Sequence, residues 1–380
     1  METVTPFKDA IDAIIAAGGE AFAYCYQCGL CDTVCPWNQI KRFSIRGIVR
    51  QATFGLPEIE GDDIWRCTTC GKCPSSCPRG VDQIEIGTSI RRIAAEYGVV
   101  PDSIHTVAAS IGAEGNPLGE SRSKRAGWAE GLGVRPFEEG MEILYFPGCY
   151  PSYDPRLQKV AKATAKILNS ADVNFGILGI RENCCGESIR KAGEQELFKR
   201  VAKENIRTFV DAGVKKILVS SPHCYQTFKN EYSQFRVNFE VVHIAEYLAD
   251  LIDKGRLKLS AGSAKKIVYH DPCYLGRHNG IYAQPRQVLR RVLGHDAMEF
   301  VDCRENSLCC GGGGAGIWMD RKKGERLSDP RLLQALDAGA EVLATACPYC
   351  ILNFEDSRLG LQDPDAIQIR DITEIVQEAL

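Results

Sequence analysis

Ile143-Leu144-Tyr145-Phe146-Pro147-Gly148-Cys149-Tyr150 is a short apolar run ending in a turn and a cysteine, and it returns as Ile267-Val268-Tyr269-His270-Asp271-Pro272-Cys273-Tyr274. The echo continues. Cys184-Cys185-Gly186 is matched by Cys309-Cys310-Gly311, and Ile217-Leu218-Val219-Ser220-Ser221-Pro222-His223-Cys224 by Val342-Leu343-Ala344-Thr345-Ala346-Cys347-Pro348-Tyr349-Cys350. The ends agree too, His243–Leu248 against Asp371–Val376. The pairs Cys149/Cys273, Cys184/Cys309 and Cys224/Cys350 lie 124, 125 and 126 positions apart, so residues 142–262 and 263–380 are one domain duplicated. Helical stretches such as Val160–Leu168 and Val201–Val210 separate the apolar runs. This alternation predicts a parallel α/β sheet in each repeat, with ligands where strands end.

Upstream, residues 1–100 carry helical periodicity, as in Phe43, Ile45, Ile48 and Val49 before Gly55, and Ile84, Ile86, Ile90 and Ile93 before Gly98. Among these patterns stand Cys25-x2-Cys28-x2-Cys31-x3-Cys35-Pro36 and Cys67-x2-Cys70-x2-Cys73-x3-Cys77-Pro78. In this bacterial ferredoxin spacing, three cysteines take three corners of one [4Fe-4S] cube and the fourth crosses to the other. The expected sets are Cys25, Cys28, Cys31 and Cys77 for one cubane, and Cys67, Cys70, Cys73 and Cys35 for the second. Zinc sites lack this paired three-plus-one spacing. The 31 residues between Cys35 and Cys67 read mostly as helix, which predicts an α-helical ferredoxin domain. Residues 101–141, rich in Gly, Pro and charge, read as a linker with one helix, and Trp128 gives that linker a contact to make with a partner.

The bulk properties narrow the classes. Apolar content of 44%, charged content of 25% and a net charge of −3 describe an ordinary globular chain without a nucleic-acid or polybasic membrane signature. Met1–Phe22 lacks the basic and apolar regions of a secretory signal, and no stretch reaches the roughly 18 apolar residues of a spanning helix. The expectation is a cytoplasmic protein, attached to any membrane complex only through a partner. Eighteen cysteines clustered at gaps of two and three residues in a long unsignalled chain argue against a disulfide scaffold.

With these motifs in view, the chain resembles the CCG-domain family and, over 25–98 and 142–380, a fusion of the C and B subunits of heterodisulfide reductase, the layout of its D-type subunit. The resemblance implies a non-cubane [4Fe-4S] cluster held by five cysteines in each complete motif. Carried over, the second motif is complete: Cys273, Cys309, Cys310, Cys347 and Cys350. The first offers Cys149, Cys184, Cys185 and Cys224, with Ser221 where its twin has Cys347. A serine hydroxyl is a harder donor and a poor replacement on soft iron. A further cubane or smaller cluster, an altered non-cubane cluster, and zinc or nothing all stay open for that site.

Other features admit two readings. Cys303 is an exchangeable ligand, a reactive thiol or a small buried hydrophobe. Gly311–Gly316 contains G-x-G-x-x-G, but no strand precedes it, so the glycines are expected to bring amides near cluster sulfurs, and no NAD or flavin is assigned. Arg277 and His278 are the candidate catalytic pair, with His278 able to supply a proton to a leaving thiolate, or else a hydrogen-bonded supporting or surface pair. His223 and His270 are expected to be structural. Lys41, Arg42, Arg46 and Arg50 steer an acidic redox partner or are a solvated helix face.

Two functions follow from the resemblance. The first is an oxidoreductase subunit passing electrons through two ferredoxin clusters to thiol/disulfide chemistry at the non-cubane site. The second is a pure conduit within a larger complex of the benzoyl-CoA reductase or hydroxyacid oxidase type. Either implies a hetero-oligomer with a flavoprotein of the heterodisulfide reductase A type, a ferredoxin or a similar donor.

Overall fold

The computed structural model describes residues 6–56, 59, 61–260, 262 and 264–380. Its N-terminal part is helical. Ser44 starts the helix Ile45–Phe54 by accepting the Gly47 amide at 2.9 Å, and Asp82 starts Gln83–Glu96 by accepting from Ile84 and Glu85. Each side chain satisfies an N–H that the first helical turn leaves unpaired. The apolar faces of these helices meet Trp37, Phe43 and Trp65 in a core that also takes in Cys31, Cys35, Cys70 and Cys73.

The two repeats are parallel α/β units. The first sheet holds β1 (Arg135–Pro136), β2 (Ile143–Phe146), β3 (Phe175–Ile177), β4 (Lys216–Val219) and β5 (Glu240–His243), in the order β1-β3-β2-β4-β5. The second holds β6 (Ile267–Tyr269), β7 (Val342–Thr345) and β8 (Gln368–Asp371), in that order. All pairings are parallel. Every residue of β2, β6 and β7 is buried, as expected where helices cover both faces of a parallel sheet. β6, β7 and β8 repeat β2, β4 and β5, and a single bridge from Met298 to Val268 stands where β3 pairs with β2. The repeats pack reciprocally. The last helix of the first, Ile244–Asp253, lies on Ala283–Leu293 of the second, and the last helix of the second, Ile372–Glu378, lies on Gln158–Ser170 of the first.

Residues 101–141, expected as a linker, are folded into the first repeat. They form the helix Asp102–Glu114, the edge strand β1, and an anchor in Trp128, which is 1% exposed and meets Tyr145 edge-on at 5.8 Å. Trp128 is therefore spent inside the chain. The glycines and prolines that read as linker are turns between Ile111, Trp128 and Phe137, all of which reach the core.

Arg91 fastens the helical domain to the repeats. Its buried guanidinium donates to the carbonyls of Ile64, Cys67, Lys191 and Gly314 at 2.6 to 3.0 Å. Among the described residues no helix is long and apolar enough to cross a membrane.

Candidate metal centres

The two N-terminal cysteine runs fold as matching loops, with Gln27 and Thr69 both in the left-handed region at φ 57° and 51°. The loops cross. One pocket is lined by Cys25, Cys28, Cys31 and Cys77, and the other by Cys35, Cys67, Cys70 and Cys73. These are the three-plus-one sets that the spacing predicts. Pro36, Phe43, Ile45 and Ile84 complete the apolar wall of the second pocket. Burial, helped by the Asp32 carboxylate, pushes the Cys31 thiol up to about 11, and burial likewise raises Cys35, Cys67 and Cys73. Four thiols facing one apolar pocket become thiolates together only when a cationic centre neutralises them, so the donor set fits an iron–sulfur group.

In the second repeat, Cys273 follows β6, Cys347 follows β7, and Cys350 lies in the first turn of the helix Pro348–Arg358. Together with Cys309 and Cys310 they form one group of sulfurs, each at most 7% exposed. Cys350 and Cys310 approach to 3.2 Å, and Cys309 is within hydrogen-bonding reach of both Cys273 and Cys310. The Gly311 amide donates to Cys309 at 3.3 Å, an amide-to-sulfur contact of the kind expected for the glycine run. The next glycines do something else. A side chain at Gly313 or Gly314 would meet the carbonyls of Thr68 or Cys67 at 2.4 Å, so their absence lets the ferredoxin loop press against this group. Thr68 Oγ1 accordingly lies 3.4 Å from Cys309 Sγ, and Cys70 and Cys309 are in hydrogen-bonding reach. The two centres share a wall. A cavity of about 180 Å³, lined by Trp37, Trp318, Met319, Arg321 and Asn353, opens beside Cys310.

Arg277 and His278 sit on that same seam. Arg277 donates to the carbonyls of Cys70, Glu305 and Ser307, and the His278 ring nitrogen Nε2 lies 2.9 Å from the Thr69 carbonyl. Burial pushes His278 down to about 4, so its ring is neutral at pH 7 and donates to Thr69. These contacts give the pair a fastening position across the seam. Cys303 is half-buried and precedes the turn Arg304–Asn306, its carbonyl accepting from the Asn306 amide at 3.0 Å, outside these sulfur contacts.

The first repeat lines up Cys149, Cys184, Cys185 and Cys224 in series, each within hydrogen-bonding reach of the next, with the Gly186 amide donating to Cys184 at 3.4 Å as Gly311 does to Cys309. Ser221 turns its hydroxyl to the His223 amide at 3.3 Å and caps the helix Pro222–Gln226. Arg125, from the supposed linker, is buried with its NH2 3.7 Å from Cys149 and its Nε 3.3 Å from Glu182. Sequence reading missed this cation, because nothing in the spacing links it to Cys149.

Between the two sites lies His223. Its Nδ1 is 3.0 Å from Glu187, its ring is sandwiched by Tyr274 at 4.2 Å and Tyr349 at 4.4 Å, and it comes within hydrogen-bonding reach of Cys347 of the other repeat. Burial opposes its charge, but the Glu187 carboxylate and Cys347 overrule that and raise it to about 10. His270 is buried and held neutral by burial and by Arg331, consistent with a structural place. Among the described residues no three His, Cys, Asp or Glu side chains close on a single-ion site.

A family model described as a cysteine-rich CCG domain matches residues 143–229 and 267–355, and a 4Fe-4S dicluster domain model matches 21–81. The EtfAB:quinone oxidoreductase of Syntrophomonas wolfei subsp. wolfei is 36% identical over 85% of this chain and 47% of its own length. The probable iron-sulfur-binding oxidoreductase FadF of Bacillus subtilis is 36% identical over 90% of this chain and 51% of its own. The chain thus spans about half the length of these two relatives. The D-type subunit of the dihydromethanophenazine:CoB–CoM heterodisulfide reductase of Methanosarcina barkeri is 30% identical over 94% of this chain and 93% of its own.

Proposed function

The chain belongs to the family of CCG-domain iron–sulfur proteins that includes the D-type subunit of heterodisulfide reductase, and we propose that it is the electron-carrying subunit of a larger redox complex, with its terminal centre in the second repeat. Cys25, Cys28, Cys31 and Cys77 would hold the first cluster, and Cys35, Cys67, Cys70 and Cys73 the second. Cys273, Cys309, Cys310, Cys347 and Cys350 would hold a third, of the non-cubane kind, and Cys149, Cys184, Cys185 and Cys224 a further centre bound by four thiolates. When bound, such clusters supply one-electron carriers whose potential follows charge, hydrogen bonding and burial.

The chain's own part is spacing and insulation. Arg91, Arg277 and His278 lock the 67–73 loop against the second repeat. Tyr274, His223 and Tyr349 fill the ground between the two repeat sites, which supports a conduit over a disulfide held between paired centres. The observation that carries the reading is the meeting of Cys70 and Cys309, which leaves no polypeptide layer between the second ferredoxin pocket and the second-repeat site. A flavoprotein or ferredoxin-type donor and a hetero-oligomeric setting suit this arrangement, and the relatives' names are in keeping with it. Attachment to a membrane complex would come through a partner.

The cavity beside Cys310 favours a second reading, in which a small thiol or disulfide reaches the second-repeat site from solvent and is turned over there. Rapid-freeze EPR during stepwise reduction tests the first reading. The ferredoxin signals are expected to rise first, and Cys309→Ser is expected to stop electron delivery to any acceptor while leaving those signals intact. Undiminished delivery in Cys309→Ser overturns the conduit. A thiol-dependent EPR signal in the oxidised protein would establish the second reading.

A further inference from the structure

Cys28 is the one exposed cysteine of the eighteen. The surface around it is not that of an ordinary solvated helix. Tyr24, Tyr26 and Leu30 stand 60%, 70% and 41% exposed beside it. The helix Ile45–Phe54 presents Arg46 and Arg50, one turn apart, towards the same rim. Arg46 lines the pocket of Cys25, Cys28, Cys31 and Cys77, and with Arg50, Gln27, Ser44 and Gly47 it also lines the hollow next to it. From the other side Arg79 lies over the Tyr26 ring at 4.4 Å.

The acid on this rim is already engaged. Asp32 accepts from the Arg46 amide at 2.9 Å and the Ser44 hydroxyl at 2.8 Å, and lies 3.7 Å from the Arg46 guanidinium. Arg50 and Arg79 make no ion pair among the described residues. A chain of net charge −3 therefore carries a positive, apolar-centred face where the pocket of its one exposed cysteine meets solvent. Complementary charge around an apolar centre is what steers and seats a transient electron-transfer partner.

We propose that this face docks an acidic electron-carrier protein whose redox cofactor lies at its own surface. The proposal rests on the reading that Cys25, Cys28, Cys31 and Cys77 hold a redox cluster. On docking, one electron passes from the partner's reduced cofactor, which is thereby oxidised, to the centre behind Cys28. No bond is made or broken and no proton is required. The aromatic rim excludes water from the contact, while the arginines set the approach and make it sensitive to salt.

The test is stopped-flow reduction of the anaerobically reconstituted full-length protein by photoreduced flavodoxin, an acidic carrier, with neutral photoreduced deazaflavin as the second reductant. Arg50→Glu is compared with Arg207→Glu, a charge reversal on the remote helix Gln195–Asp211. At low ionic strength, Arg50→Glu is expected to slow reduction by flavodoxin about tenfold, the difference shrinking as salt screens it, and Arg207→Glu to leave the rate unchanged. Reduction by deazaflavin should be the same in all three proteins. Equal flavodoxin rates for wild type and Arg50→Glu at low salt, or an equal loss in Arg207→Glu, overturn the docking face. A wild-type protein that deazaflavin does not reduce at all would instead overturn the underlying cluster reading.

Discussion

Ser221 and Cys347 hold the same place in the two repeats and do different work: the hydroxyl caps a helix through the His223 amide at 3.3 Å, while the thiol joins a five-sulfur group within hydrogen-bonding reach of His223. Ser221→Cys restores the fifth thiol to the first repeat. The variant is expected to show a spectroscopic signature of the second-repeat type at twice the wild-type intensity, at a cost of about 1 kcal/mol for the weakened cap. Mössbauer spectra with iron counts on wild type and variant check this. An unchanged spectrum would mean that more than the missing thiol separates the sites.

His223 and Glu187 form a buried ion pair at 3.0 Å, both under 5% exposed. Replacing His223 by Ala leaves a buried carboxylate without its cation, so a loss of about 3–5 kcal/mol is expected. Glu187→Gln with His223→Gln, which removes both charges, should recover part of that loss. A second readout separates support from tuning. Without the cationic N–H on Cys347, the midpoint potential of the second-repeat centre should fall while the ferredoxin potentials stay fixed. A spectroelectrochemical titration shows which centre moves.

Arg91 makes charge-assisted hydrogen bonds to four carbonyls across three parts of the chain. Arg91→Met fills the space but frees those carbonyls, and a destabilisation of about 3 kcal/mol or more is expected. The seam between the helical domain and the repeats should loosen first. Limited proteolysis is then expected to release an N-terminal fragment, with slower electron passage to the second repeat and unchanged iron content.

The cysteine framework was legible because gaps of two and three residues bring most of the ferredoxin sulfurs together locally, and the repeated three-plus-one spacing marks Cys35 and Cys77 as the ones that cross. The duplicated sheets were legible because β2 and β6 are apolar runs ending at Cys149 and Cys273, and parallel strands read that way. The contacts joining distant segments were not. Trp128 and Arg125 sit among glycines and prolines, so their stretch reads as linker, although Trp128 enters the core and Arg125 reaches Cys149. His278 sits closer in sequence to a complete motif than His223 does to one, yet burial leaves it neutral on a carbonyl, whereas Glu187 keeps His223 charged. Gly313 and Gly314 look like a nucleotide loop until the 67–68 backbone that fills their space is in view.

The capping residues His243 and Asp371, equivalent in the two repeats, make opposite pH demands. Both are buried and both form capping boxes, on Ile244–Asp253 and Ile372–Glu378. Burial pushes His243 down from 6.5 to about 3 and Asp371 up from 3.8 to about 7. Below pH 6.5 the unfolded chain protonates His243 and the folded chain does not, so stability falls as pH falls towards 3. For Asp371 the folded chain holds the proton first, so stability is gained as pH falls from 7 towards 3.8. Each contributes about 1.4 kcal/mol per pH unit within its window, and between pH 6.5 and 3.8 they cancel. Each single variant should therefore uncover the other's slope. From about pH 7 to pH 5, His243→Asn is expected to gain about 2 kcal/mol relative to wild type, and Asp371→Asn to lose about as much. His270 titrates alike in all three proteins and drops out of the comparison. Urea midpoints under anaerobic conditions measure the divergence, and two variants that track wild type across this range would show that the caps are not opposed.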